Sequence, residues 1–259
     1  MDDGRVSWSV PDPASNTDVE TPAHRGDLTT RALVDSIARL AGGVIVSCQA
    51  APADPLHGPL FMAAMARAAA VGGAVAIRAN GPEDIAAIRA AVDLPIIGIW
   101  KIELPGLGIR ITPTIEHARA VAAAGASIIA VDATDRARSD GTTVAEFIAR
   151  VRVETGLPVM ADISTVREAL GAQEAGAELI ATTLAGYTGN EGTLDGPDFE
   201  LVTQLVACLR VPLVAEGRVS TPDEAAQAIA LGAYAVVIGE AVTRPERITA
   251  RFVAALGNR

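Results

Sequence analysis

"GGAVAIRANGPEDIAAIRAAVDLPIIGIWK" (residues 72–101) holds two apolar runs separated by an amphipathic stretch. The first run follows a Gly-Gly turn and ends on Arg78–Ala79–Asn80. The second follows Pro95 and stops abruptly on Lys101. Between them, "PEDIAAIRAAV" (82–92) places apolar residues at helical spacing behind a proline-containing, acidic start. The unit reads strand, helix, strand. Each strand is apolar enough to be buried, yet each finishes on a charged or polar side chain that resists burial.

The same unit recurs along the chain. Strands of one kind follow a "GA" or "GG" turn: 72–80, "GASIIAVDAT" (125–134), "GAELIATTL" (176–184) and "GAYAVVIGEA" (232–241). Strands of a second kind follow a proline: "LPIIGIWK" (94–101), "LPVMADIS" (157–164) and "VPLVAEGR" (211–218). "GGVIVSCQA" (42–50) opens the series, and the two kinds alternate from there. Helix-like stretches such as 114–125, 164–176 and 221–232 separate them. Eight short buried strands alternating with helices predict a (β/α)8 TIM barrel over residues 28–259. The stretch 28–43, with Leu33, Ile37 and Leu40 at helical spacing, predicts an N-terminal helix. Residues 1–27, polar and aperiodic, read as a flexible extension. A doubly wound sheet is the competing fold, but no strand leads into a G-x-G-x-x-G turn.

Composition agrees. Of the 259 residues, 50% are hydrophobic but only 3% aromatic, which leaves Ala, Val, Ile and Leu to build the core. A formal net charge of −10 argues against nucleic acid as a partner, since phosphate contacts need a basic face. Cys48 and Cys208 stand far apart and the three histidines are scattered, so neither a disulfide framework nor a metal site is expected. No apolar run is long enough to span a membrane, and the first residues lack the pattern of a signal peptide, so the expected location is cytoplasmic.

In such a barrel the C-terminal strand ends carry the chemistry. Read in order, they offer Cys48–Gln49, Arg78 with Asn80, Lys101, Asp132, Asp162, Thr182–Thr183, Glu216–Gly217–Arg218 and Gly239–Glu240. The third and seventh strands lie opposite each other in a ring of eight. Lys101 and Glu216 therefore face one another across the mouth, with Gln49 and Asp162 as the perpendicular pair. Two proton-transferring groups on opposite sides of a bound carbon can invert a stereocentre. Lys101 is also the residue type of a Schiff-base nucleophile in an aldolase or lyase, and a barrel that binds its ligand without catalysis is the third option. The turns after the seventh and eighth strands, "EGRVSTP" (216–222) and "IGEAVTRP" (238–245), supply Gly217, Arg218, Gly239 and Arg244 for a phosphate. Cys48 reads as a small buried residue and His57 as a surface one. The Gly-rich stretch 184–198 is a candidate lid.

Taken together, "SCQA", "IRAN", "ITPT", "VDATDR", "MADIST", "TTLAGYT", "PDFELV", "VAEGR" and "TRPERIT" resemble the N-acetylmannosamine-6-phosphate 2-epimerase family. The resemblance implies a cofactor-free barrel of amino-sugar and sialic acid catabolism. It would act on N-acetylmannosamine 6-phosphate and N-acetylglucosamine 6-phosphate through an enolate at C2. By motif, Lys101 and Glu216 become the proton-handling pair. Gln49, Arg78 and Asp162 position the sugar, with Thr182 and Asp132 as further substrate contacts. Arg244 holds the phosphate with Gly217, Arg218 and Gly239. Glu240 departs from the pattern, standing where a small hydroxyl residue is expected. The C-terminal "RPERITARFVAAL" is a candidate homodimer contact.

Overall fold

The computed structural model describes residues 35–188 and 195–257. The expected extension over 1–27 and Leu33 of the expected first helix lie outside the described residues, as does the centre of the candidate lid. In chain order the strands are β1 (Val44–Cys48), β2 (Ala76–Asn80), β3 (Ile96–Ile99), β4 (Lys101–Leu104), β5 (Gly108–Ile111), β6 (Ile128–Asp132), β7 (Val159–Asp162), β8 (Leu179–Ala181), β9 (Leu213–Glu216) and β10 (Ala235–Ile238). The helices are α1 (Pro59–Val71), α2 (Pro82–Ala91), α3 (Ile115–Ala123), α4 (Val144–Thr155), α5 (Val166–Glu174), α6 (Phe199–Cys208), α7 (Pro222–Ala230), α8 (Glu240–Thr243) and α9 (Pro245–Ala255).

Eight strands close a barrel in the order β1-β10-β9-β8-β7-β6-β3-β2, all neighbours parallel. The predicted TIM barrel is the observed fold. Helix starts are set locally: Thr143 with Glu146, Thr165 with Glu168 and Thr221 with Glu224 each form a reciprocal capping box.

Side chains alternate strictly between two cores, as a pleated strand requires. Ile45, Ile97, Ile128, Met160, Leu179 and Val214 fill the barrel interior, and Leu40 joins them from the chain just before β1. Their sequence neighbours Val46, Ile96, Ile129, Val159, Ile180 and Leu213 face the helices. Gly98 belongs to the outward set. A Cβ there would lie 2.5 Å from Val121 Cγ1 and 2.7 Å from Ala126 Cβ, so the glycine lets α3 close against the strand.

Two features lie outside the closed ring. The apolar stretch after Lys101 is an antiparallel hairpin, β4–β5, with Lys101 opposite Ile111. It carries the chain out of the barrel and back to α3. At the other end of the chain, α9 has no buried residue, and Phe252, Val253 and Leu256 are exposed. Among the described residues, no helix is long and apolar enough to cross a membrane.

The Gly98 contact makes a direct stability prediction. Gly98→Ala should destabilise the fold by about 1–3 kcal/mol, the scale of overpacking a tight core. Urea unfolding of the two proteins measures it, and an unchanged midpoint would contradict the close approach.

Candidate active site

The alternation that fills the barrel also decides what reaches its mouth. Counting on by two from the interior residues, Ile97 and Ile99 lead to Lys101, Met160 to Asp162 and Val214 to Glu216. Ala76 leads to Arg78 and Asn80, and Ile45 leads through Ser47 to Gln49. β3 and β9 are separated by three strands on either side of the ring, so Lys101 and Glu216 leave from opposite walls. β1 and β7, carrying Gln49 and Asp162, are likewise opposite.

Arg78 lies beneath this mouth with no exposed surface. Its fork grips Asp162 with two bonds, Nη1 to Oδ1 at 3.1 Å and Nη2 to Oδ2 at 2.6 Å. Nη1 also reaches Glu216 Oε2 at 3.2 Å. Thr183 completes the group, its hydroxyl lying 2.7 Å from Asp162 Oδ1 and 3.0 Å from Glu216 Oε2. Burial alone opposes the Arg78 charge, but Asp162 and Glu216 outweigh it and hold the guanidinium firmly protonated. Arg78 and Asp162 were expected to touch the sugar. Both are buried and bonded to each other, and together with Thr183 they fix Glu216.

Glu216 and Lys101 are each pushed toward the neutral form. Burial raises the Glu216 carboxyl, and the charge on Asp162 adds to it; Arg78, Thr183 and Lys101 oppose the rise. Burial lowers the Lys101 ammonium, helped by Arg78 and Arg244 and opposed by Glu216 and Asp162. Lys101 is exposed at the strand exit, yet the atoms packed around its side chain still disfavour its charge. No ion pair joins Lys101 to Glu216 among the described residues; Glu216 is paired with Arg78. A proton donor and a proton acceptor poised on facing walls is an arrangement for proton transfer.

Gln49 sits at the mouth with Nε2 donating to Ser47 Oγ at 2.8 Å, while its buried Oε1 has no partner among the described residues. That oxygen can accept from a ligand hydroxyl or amide. Asp132 is nearly buried and fully engaged: Thr134 donates from its hydroxyl at 2.7 Å and Arg136 from Nη2 at 2.5 Å. Thr182 has the wrong parity for the mouth. Its hydroxyl bridges to the Glu216 backbone, donating to the carbonyl at 2.8 Å and accepting from the N–H at 2.9 Å.

Of the expected phosphate residues, Gly217 is in a positive-φ turn and Gly239 packs its backbone against Ser47 at the start of α8. Arg244 is near enough to the mouth to act on Lys101, and pairs with Asp54 at 2.7 Å and Glu246 at 3.4 Å. Arg218 is directed elsewhere. It donates to the carbonyls of Gly196 at 2.8 Å and Ala185 at 3.0 Å and lies over the Tyr187 ring, so it ties the chain after β8 to the chain after β9. Cys48 faces the helices, its thiol pushed up to about 12 by burial and by Asp84. His57 is exposed.

The family model described as "Putative N-acetylmannosamine-6-phosphate epimerase" matches residues 62–258. The chain belongs to this family. Two relatives named "Putative N-acetylmannosamine-6-phosphate 2-epimerase" are each 51% identical. The one from Caldanaerobacter subterraneus subsp. tengcongensis aligns over 85% of this chain and 93% of its own length, and the one from Cutibacterium acnes over 85% and 96%. The solved structure of the N-acetylmannosamine-6-phosphate 2-epimerase from Clostridium perfringens superposes with a TM-score of 0.82 at 41% identity. It covers 85% of this chain and 95% of that one.

Within this epimerase family member, Glu240 begins α8 with an exposed side chain, and the partners of Arg244 are Asp54 and Glu246 instead. Thr183 is the contact that sequence reading passed over in favour of Thr182. Counting by two from the buried Leu179 and Ala181 would have found it, because inward parity continues past the last ladder residue. The hairpin's signal was weaker: "IELPGLG" has neither an Asn-Gly nor an Asp-Gly turn, only Pro105–Gly106, which marks a turn without specifying paired strands.

Removing Arg78 strands two buried carboxylates. Arg78→Met should cost about 3–5 kcal/mol near neutral pH, the usual penalty for breaking a buried ion pair. The carboxyl pKa values then rise in the folded state, so the deficit shrinks as the pH falls and they take up protons. Urea denaturation at pH 7 and pH 5 reads both effects; a deficit that grows on acidification would contradict the geometry.

Proposed function

We propose that the chain interconverts N-acetylmannosamine 6-phosphate and N-acetylglucosamine 6-phosphate by inversion at C2. The observation that carries this reading is the pair on opposite walls, Lys101 and Glu216, each held toward its neutral form above a buried Arg78–Asp162–Thr183 floor. The family membership supplies the substrate. In the open-chain sugar, C2–H lies beside the C1 aldehyde and is therefore acidic. The neutral amine of Lys101 takes the C2 proton as the C–H electron pair moves onto the C1 oxygen, giving an enolate. The Glu216 carboxyl then delivers a proton to the opposite face of C2, the enolate collapses to the aldehyde, and the stereocentre is inverted. In the reverse direction the Glu216 carboxylate takes the proton and the Lys101 ammonium returns one.

The remaining groups orient the sugar. Gln49 Oε1 accepts a hydrogen bond from it. The turns at Gly217 and Gly239 with Arg244 receive the phosphate, which competes with Asp54 for the guanidinium. The chemistry asks for no cofactor, and a phosphosugar enzyme of this kind is at home in the cytoplasm. The exposed apolar residues of α9 support a homodimer contact there.

Proton NMR with N-acetylmannosamine 6-phosphate in D2O tests the reading. Wild type should yield N-acetylglucosamine 6-phosphate carrying deuterium at C2, and borohydride should trap no substrate adduct. Lys101→Ala should lose about 10²–10⁴-fold in rate, the usual worth of a general acid or base. No exchange at C2 and no product would end the assignment.

The pH dependence follows from the directions of the two shifts. Lys101 must be unprotonated to act as base, and its lowered pKa brings the free amine below the ordinary 10.5. Glu216 must hold its proton to act as acid, and its raised pKa extends the carboxyl form above the ordinary 4.5. For this direction kcat/KM should be bell-shaped, rising as Lys101 loses its proton and falling as Glu216 loses its own. A profile flat from acid to alkaline pH would contradict it.

A further inference from the structure

We infer that Thr112 and Asn80 are positioning residues for Lys101, holding the backbone at the point where β3 leaves the barrel; this rests on the proton-transfer role proposed for Lys101. A lysine side chain has a four-carbon stem, so the place of its ammonium is set first by where its Cα is fixed. At Trp100 the ladder that holds β3 between β2 and β6 ends, and the chain turns into the β4–β5 hairpin. Side chains take over from the ladder there.

Thr112 is fully buried, just past β5. Its hydroxyl accepts from the Trp100 N–H at 3.1 Å and donates to the Ala130 carbonyl on β6 at 2.7 Å. Its own N–H donates to the Trp100 carbonyl at 2.8 Å. One residue thus binds both backbone groups of Trp100 and anchors them to the neighbouring barrel strand. From the other side Asn80, the last inward residue of β2, accepts the Lys101 N–H on Oδ1 at 2.8 Å. Lys101 leaves the barrel between these two supports.

The backbone of Thr112 points the same way. Its φ is +48°, a region that a β-branched residue rarely adopts and that glycine would occupy freely. A threonine is found there, its hydroxyl proton given to Ala130 and a lone pair taken by the Trp100 N–H. Glycine would ease the conformation but could not make either bond. The hydrogen bonds that make these supports end on backbone atoms of Trp100, Ala130 and Lys101, so through them the two residues act on where Lys101 stands.

Thr112→Val removes the hydroxyl at constant shape, Asn80→Ala removes the second support, and Thr112→Ser keeps the hydroxyl. Two readouts are needed. The first is kcat and KM for the 2-epimerisation. Thr112→Val and Asn80→Ala should each lower kcat about tenfold to a hundredfold, the scale of a misplacement on the order of 1 Å, with a much smaller change in KM. Thr112→Ser should recover most of the loss.

The second readout needs no substrate: competitive labelling of the Lys101 amine with acetic anhydride as a function of pH, resolved by peptide mass. With either support removed, the titration midpoint of Lys101 should move up toward that of an ordinary lysine as the amine drifts from Arg78 into solvent. If Thr112→Val does not fold, Asn80→Ala, at a partly exposed site, carries the test. Wild-type epimerisation with an unchanged kcat and labelling midpoint in the variants would overturn the inference and leave the function standing. A wild type that does not epimerise would overturn the function, and labelling would still decide whether these residues hold Lys101. A rise in KM alone would place them in substrate binding and also overturn the inference.

Discussion

The floor of the mouth depends on one guanidinium. Arg78 projects from β2 into a barrel otherwise filled by Ile, Val, Leu and Met, and it is as buried as they are. An isolated charge there would be expelled, since even relaxed protein interiors penalise a bare ion by several kcal/mol. It is tolerated because Asp162 and Glu216 converge on it from β7 and β9, with Thr183 from the end of β8 bonded to both carboxylates. The dependence is mutual. Two carboxylates side by side at the floor of the mouth repel each other, and Arg78 is what allows both to be there.

That arrangement separates two carboxylates of the same chemical type. Asp162 receives both prongs of the fork and the Thr183 hydroxyl, and no surface of it remains open. Glu216 receives one prong and keeps some exposure. Its carboxyl is pushed up by burial and by the neighbouring Asp162 charge. Asp162 and Arg78 are therefore each other's main partners, and Glu216 is the carboxylate that keeps accessible surface. On the facing wall Lys101 is lowered by the same mouth and the same guanidinium. One buried cation thus acts in opposite senses on the pair: it repels the Lys101 ammonium and favours the free amine, while it holds the Glu216 carboxyl down against the rise that burial imposes.

Much of this was legible in the residues. Gly-turn strands alternating with Pro-led strands predicted the barrel, and the strand ends named Lys101, Glu216, Gln49, Arg78 and Asp162 before any coordinates. What sequence reading placed differently shares a physical cause. Arg78 and Asp162 were given to the sugar by family resemblance, and nothing in a sequence shows that two such ends across a ring will pair with each other. Arg218 was assigned to phosphate by its position after β9, yet its donors reach the carbonyls of Ala185 and Gly196, distant in sequence and adjacent only in the fold. Thr182 lost to Thr183 by one step of strand parity.

The sequence by itself determined the order of elements, the two-core alternation and the set of polar residues at the barrel's C-terminal rim. These follow from local rules: period two in strands, helical spacing between them, and glycine or proline at the turns. Tertiary structure alone decided which rim residues face the mouth and which are spent on one another. It also decided where β3 leaves the barrel and what holds Lys101 at that exit. Those outcomes depend on pairs such as Arg78 with Asp162 or Asn80 with Lys101, joined by closure of the ring. A hydrogen bond acts over about 3 Å of space, and only the closed barrel brings such partners within that reach.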